Sequence, residues 1–302
     1  MKPILEVEKV VQQFRSGFWM KRVEILHSVD LMVPEGSIFG FLGANGAGKT
    51  TLIHLIAGLR KPTSGSVRVG GDLATTAGAR ARIGYLPERP YFYEHLTGEG
   101  LLRYFGTLAG MPPSRIRDRI PQVLAQVGMS DARKLELRRY SKGMLQRIGI
   151  AQGILHDPQF LVLDEPMSGL DPLGRKEIRD LILKLASEGR TIFFSSHVIP
   201  DLEAICDRVA LIQKGKIIGS GPIGEFLSQG ETQMEIILGS LDEGSAKKLP
   251  GVESVRAIPD GVRVVARPDE LNQTLQAIMK TGARVVSLNP IRPSLEAYFE
   301  RG

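Results

Sequence analysis

The sequence predicts an α/β protein, with a mostly parallel, helix-covered sheet over residues 1–230 and a small α+β domain over residues 231–302. Three observations predict it. Short apolar runs alternate with amphipathic stretches through the first part. One of those runs ends directly in a glycine-rich turn that opens a helix. From residue 231 the pattern becomes strand, helix, strand, strand, helix, strand.

Taken in order, residues 1–9 alternate apolar and charged side chains, which marks a first strand and not a signal peptide. Residues 37–42 are an apolar strand, and 49–59 a helix beyond the glycine turn. The stretch 89–158 lacks strand alternation and reads as a helical insertion; within it Met144, Ile148, Ala151 and Leu155 recur at helical spacing. Residues 160–163 and 191–195 are unbroken apolar runs, as strands buried on both faces require. Between them, 172–188 places Ile178, Leu181, Ile182 and Leu185 on one helical face. After the polar break at 228–230 come strands at 233–238 and 252–258, a Pro259-Asp260-Gly261 turn, a strand at 262–266, a helix at 270–280 and a last strand at 284–288. With a short helix near 242–249, that order predicts a ferredoxin-like sandwich.

Composition narrows the function classes. A hydrophobic share of 42% and a charged share of 24% are those of a soluble globular chain. The single cysteine, Cys206, excludes a disulfide framework and paired-cysteine zinc sites and fits a reducing compartment. No run approaches the ~20 apolar residues of a membrane-spanning helix, so a membrane role has to come through a partner. The net charge of +6 is scattered in short clusters such as Arg138-Arg139, without interleaved aromatics, so nucleic acid is not expected as a partner.

The chemistry sits in two places. Gly43-Ala44-Asn45-Gly46-Ala47-Gly48-Lys49-Thr50 satisfies the phosphate-loop pattern, and Thr51 follows on the helix. Its glycines let backbone N–H groups approach a polyphosphate, and the helix that begins near Lys49 turns its positive end to the anion. Lys49 reaches the β- and γ-phosphates, while the Thr50 hydroxyl ligates Mg²⁺. The apolar run 160–163 ends in Asp164, placed to hold the Mg²⁺ shell, and Glu165, placed to act as base on an attacking water. An acidic pair after a strand is by itself most often a helix cap; beside a phosphate loop it reads as catalytic.

With these motifs in place, residues 4–228 resemble the nucleotide-binding subunit of an ABC transporter. Tyr140-Ser141-Lys142-Gly143-Met144, followed by Gln146-Arg147, resembles that family's signature loop; Ser168-Gly169-Leu170-Asp171 resembles its D-loop, and His197 its switch histidine. The resemblance implies a phosphate-loop ABC cassette, with a mostly parallel core, an antiparallel β region and the helical insertion. It implies ATP and Mg²⁺ as cofactors, ATP hydrolysis as the reaction, and a head-to-tail pair of copies with ATP sandwiched between one phosphate loop and the other signature loop. Ser141 and the Gly143 amide would then meet the γ-phosphate bound by the facing copy. His197 would touch the γ-phosphate of its own chain, and Asp171 the facing phosphate loop.

Three departures from the family pattern stand out. Glu88, in Gly84-Tyr85-Leu86-Pro87-Glu88, replaces a glutamine and remains a candidate metal or water ligand. Lys142 and Met144 replace a glycine and a glutamine of the signature loop; Lys142 reads as a solvent-facing lysine, the alternative being added positive charge near the closed site. The resemblance implies an adenine-stacking aromatic, a tyrosine in the family, at Phe14, with Phe18 and Trp19 in the extra segment 15–22 as rivals; these aromatics could equally be core or partner contacts. Residues 85–88, 140–144 and the ending Ser294-Leu295-Glu296-Ala297-Tyr298-Phe299 resemble bacterial exporter subunits of the ABC-2 type. That resemblance implies a separate integral-membrane permease, docked near Tyr91, Phe92 and Tyr93, and a cytoplasmic chain peripheral to the inner face of the membrane. A soluble regulatory or assembly ATPase without cargo is the alternative.

Overall fold

The computed structural model describes residues 2–16, 21–228, 233–291 and 295. They divide into two compact units, with the break after Ile223 and not at the polar 228–230 stretch marked from sequence. In chain order the first unit contains β1 (Pro3–Ser16), β2 (Lys21–Pro34), β3 (Ile38–Leu42), α1 (Lys49–Ile56), β4 (Ser64–Val69), β5 (Asp72–Leu73), α2 (Ala77–Ala81) and β6 (Ile83–Leu86). Three helices follow, α3 (Gly98–Leu108), α4 (Pro113–Gln126) and α5 (Lys142–Ile154). The unit closes with β7 (Phe160–Leu163), α6 (Pro172–Ser187), β8 (Thr191–Ser196), α7 (Ile199–Glu203), β9 (Arg208–Gln213) and β10 (Lys216–Pro222); α8 (Ile223–Ser228) spans the break.

Two sheets build this unit. The larger runs β10-β9-β3-β8-β7-β6, parallel from β9 to β6, with β10 antiparallel at the edge. Every residue of β3, β7 and β8 is buried, because a parallel strand covered on both faces has no side to give to water. That is why these segments read as unbroken apolar runs. The smaller sheet, β2-β1-β4-β5, is antiparallel. A single apolar cluster joins the two sheets and α1, drawing Leu5, Val7 and Leu31 from one and Phe39, Phe41, Phe160 and Phe193 from the other. Phe193 is its centre, with ring centroids of Phe41 at 5.4 Å and Phe39 at 5.8 Å. Fully burying such a ring contributes about 1.5–3 kcal/mol.

Helix ends follow from local side chains. Thr97, Ser141 and Asp171 cap α3, α5 and α6 by accepting from Gly100, Met144 and Gly174 N–H groups at 3.1, 3.2 and 2.9 Å. The sequence extends the first helix to residue 59, but α1 stops at Ile56. Gly58 takes φ +67° and the Leu59 N–H bonds back to His54 O, a left-handed terminator that ends the helix. The insertion is also not helical from residue 89: the stretch before Thr97 is irregular, and α3 begins only at Gly98.

The second unit contains β11 (Gln233–Gly239), α9 (Glu243–Ala246), β12 (Val252–Ile258), β13 (Gly261–Ala266), α10 (Leu271–Thr281) and β14 (Arg284–Ile291). Its sheet order is β12-β13-β11-β14, antiparallel throughout, which is the arrangement of a ferredoxin-like sandwich. Ile236, Leu238, Val262, Val264 and Ile278 form its own core. The aromatic pair Tyr298 and Phe299 lies outside the described residues.

Candidate functional site

In the first unit, β3, β7 and β8 end at one edge of the larger sheet, where an open α/β sheet presents its ligand crevice. Beyond β3 the chain turns through residues 43–48 into α1. The course of that turn demands glycine. A Cβ on Gly43 would lie 2.7 Å from both the side chain and the carbonyl of Ile212, and Gly48 takes φ +108° as the N-cap of α1. Lys49, the first residue of α1, is only 6% exposed. Its ammonium donates to Gly43 O at 2.5 Å and lies 3.1 Å from Glu165 Oε1.

Glu165 follows β7 with φ +50°, a left-handed conformation that turns its side chain back toward Lys49. Its second oxygen, Oε2, lies 2.9 Å from His197 Nδ1, so Lys49, Glu165 and His197 form a chain of charged and polar groups. Ser195 locks the backbone beneath it. Its hydroxyl donates to Asp164 Oδ1 at 2.7 Å and accepts from the Glu165 N–H at 2.9 Å. Sequence reading passed over Ser195; the signal was its register on β8 beside the end of β7, which only the strand pairing shows.

A cleft of about 710 Å³ opens over these groups, lined by the loop residues Ala44, Asn45, Gly46, Gly48, Lys49, Thr50 and Thr51. Glu88, Glu165, Ser168 and His197 line its polar side. Phe14, Val23 and Ile25 form an apolar wall, with Phe14 and Val23 paired across the β1–β2 hairpin. Phe18 and Trp19 lie outside the described residues. Gly43 and Ala47 of the loop, and Asp164, do not line the cleft.

Three sequence candidates are not brought to this cleft. Among the described residues that line it, Ser141, Gly143 and Asp171 do not appear. Ser141 and Asp171 instead cap helices within their own chain. Lys142 is exposed, as read from sequence, and its ammonium lies against Gly169.

Asp164 is 1% exposed, and its Oδ2 has no hydrogen-bond partner. Burial pushes its carboxyl above the ordinary range, against hydrogen bonds from Ser195 and Thr50, with repulsion from Glu165 and Glu88 adding to the rise. An unpartnered buried carboxylate oxygen, a threonine hydroxyl bonded to the same carboxyl, and Glu88 nearby form an oxygen donor set that fits a hard divalent cation. The same geometry has a cost. A raised carboxyl pKa means the folded chain holds this proton more readily than the unfolded chain. Stability is therefore intact below the ordinary value of 3.8 and falls as pH rises through the raised one. Asp164→Asn is thus expected to raise the metal-free thermal midpoint at neutral pH, and to lose that advantage near the ordinary carboxylate range. Calorimetry in a chelator reads this; a midpoint that is unchanged or lower would show that the charge is already compensated.

Comparison with known proteins gives a consistent picture. A family model described as "ABC transporter" matches residues 26–168. An uncharacterized ABC transporter ATP-binding protein of Synechocystis sp. is 39% identical over 301 residues, covering 99% of this chain and 84% of that protein. The bacitracin transport ATP-binding protein BcrA of Bacillus licheniformis is 35% identical over 279 residues, 90% of each chain. Among solved structures, CbiO1 of Clostridium perfringens, described as part of the ABC transporter complex CbiONQ, superposes with a TM-score of 0.66. It is 26% identical, over 76% of this chain and 92% of that one.

Proposed function

The chain belongs to the ATP-binding subunits of ABC transporters, and from that premise we propose that it hydrolyses ATP in a head-to-tail pair of copies to power export through a separate membrane permease. The observation that carries the hydrolytic part is the Lys49–Glu165–His197 chain at the mouth of the phosphate loop. Backbone N–H groups of residues 44–48 and the start of α1 receive the phosphates. Lys49 exchanges its contact with Glu165 for phosphate oxygens, which frees that carboxylate to accept a proton from the attacking water. His197, held at Nδ1 by Glu165, has its other ring nitrogen to offer the γ-phosphate. Thr50, Asp164 and Glu88 are the residues that would hold Mg²⁺, which when bound neutralises charge on the phosphates.

The pairing of copies rests on where the remaining motif residues sit. Ser141, Gly143 and Asp171 lie away from their own chain's cleft, at the exposed starts of α5 and α6. The Ser141 oxygen accepts from Met144, which leaves its O–H to donate to a phosphate held by the facing copy.

Export and the permease rest on the relatives and on the surface. BcrA carries bacitracin transport in its name, and CbiO1 is described as part of a transporter complex. Among the described residues no helix is long and apolar enough to cross a membrane; in this reading the path for cargo belongs to an integral-membrane partner, and the chain is peripheral to the inner face of the membrane. Phe92 packs against Phe105 in the insertion, whereas Tyr91 is fully exposed and Tyr93 is 54% exposed, a pair placed to meet that partner. Affinity purification from native membranes is expected to bring down an integral subunit with the chain. Loss of that subunit with unaltered ATPase activity in membranes and detergent would favour a regulatory ATPase instead.

A further inference from the structure

We propose that Arg60 is a positioning residue for base recognition: its guanidinium, stacked on Phe14, holds that ring as the platform for the adenine of ATP. The inference rests on the reading of the cleft as an ATP site with Phe14 at its base end. The Arg60 guanidinium carbon lies 5.2 Å from the Phe14 ring centroid, within reach of a cation–π contact. Phe14 lines the cleft, and Arg60 is not among the described residues that do. One face of the ring is therefore covered by the cation from outside the cleft, and the other remains for a base.

The placement has a mechanical consequence. Arg60 follows α1, whose first residue is Lys49 of the phosphate loop. The segment beyond it is tied to β1 just before the aromatic. The Gln13 N–H donates to Thr63 Oγ1 at 3.0 Å, and the Thr63 N–H donates to Val11 O at 2.9 Å. A single helix thus sets the phosphate grip at one end and, through Arg60 and Thr63, the orientation of the base platform at the other. Without the guanidinium, Phe14 keeps Val23 beside it but loses the group that fixes its face. The arginine acts on the base and not on the phosphates, so its removal raises KM while kcat stays unchanged.

The test compares two ligands that share phosphates and differ in the base. The whole chain is titrated with Mg-ATP and with Mg-tripolyphosphate, as wild type and as Arg60→Gln, Arg60→Lys, Phe14→Ala and the Arg60→Gln/Phe14→Ala double variant. Arg60→Gln is expected to weaken ATP binding by about two- to fivefold, the effect of an exposed cation over an aromatic face, and to leave tripolyphosphate unchanged. Arg60→Lys should recover part of the loss, and Arg60→Gln should add nothing in the Phe14→Ala background. Equal weakening of both ligands would overturn the proposal in favour of a plain charge effect. So would full ATP affinity in Arg60→Gln when Phe14→Ala loses it. If Phe14→Ala itself leaves the ratio of the two affinities unchanged, the base-platform reading of the cleft fails, and that failure is separate.

Discussion

Glu165→Gln is expected to retain ATP affinity and to lose turnover by about two to four orders of magnitude, the contribution of a positioned general base. The glutamine keeps the size and the hydrogen-bonding reach of the carboxylate, so the contact with His197, now 2.9 Å, survives in altered form. It cannot accept a proton from water. The backbone at this position is fixed independently of the side chain, by the Ser195 hydroxyl that accepts the Glu165 N–H and by the turn at φ +50°. A loss of turnover therefore reports the carboxylate and not a collapsed loop.

The variant should also trap the paired state. With hydrolysis stopped, ATP stays in the cleft and the two copies remain closed on it, so gel filtration with Mg-ATP should show a two-copy species that the wild type forms only in passing. Phosphate release and ATP affinity are measured on the same preparation. Hydrolysis at the wild-type rate would reject Glu165 as the base, whereas lost affinity would recast it as a phosphate-loop support acting through Lys49. His197→Ala supplies the comparison: it removes the partner of Oε2 but leaves the carboxylate, and a smaller loss in turnover is expected.

How much of this was legible in the sequence depended on whether the signal was local. The loop 43–50 and the acids after β7 could be located because strand, turn and helix are contiguous there, and each residue's place follows from its neighbours. The order of strands in the second unit was readable for the same reason. Ser195 was not, because what matters about it is that β8 pairs with β7 in a register that sets Phe194 beside Leu163. Val23 and Ile25 were missed because their place in the cleft depends on the pairing of two long strands. Helix ends were misjudged where one glycine overrode an apolar pattern, as at Gly58. Ser141, Gly143 and Asp171 show the opposite case. Their motifs were plain in sequence, yet a single chain keeps them out of the cleft. A motif reports the assembly in which it works, and here that assembly is the proposed pair.

Lys49→Ala carries the second large expected effect, a loss of ATP affinity of about ten- to a hundredfold, as expected for a charge-assisted hydrogen bond worth about 1.5–3 kcal/mol. The position is unforgiving in both directions. Removing the ammonium deletes the donor to the phosphates, and it also takes the Lys49 cation away from the Glu165 carboxylate, which is 8% exposed and keeps its contact with His197 Nδ1. Alanine alone therefore confounds binding with local structure. Lys49→Arg separates them, since it keeps the positive charge. A planar, delocalised guanidinium does not reproduce the compact single donor that the Lys49 ammonium places 2.5 Å from the Gly43 carbonyl, so arginine should keep a positive charge beside Glu165 without restoring the phosphate grip. Thermal midpoints near wild type for Lys49→Arg, together with ATP affinity as poor as that of Lys49→Ala, are the expected pair of results by calorimetry and equilibrium titration. Wild-type affinity in either variant would mean that the loop holds nucleotide by its backbone alone, and the lysine would have to be reassigned as a structural partner of Glu165.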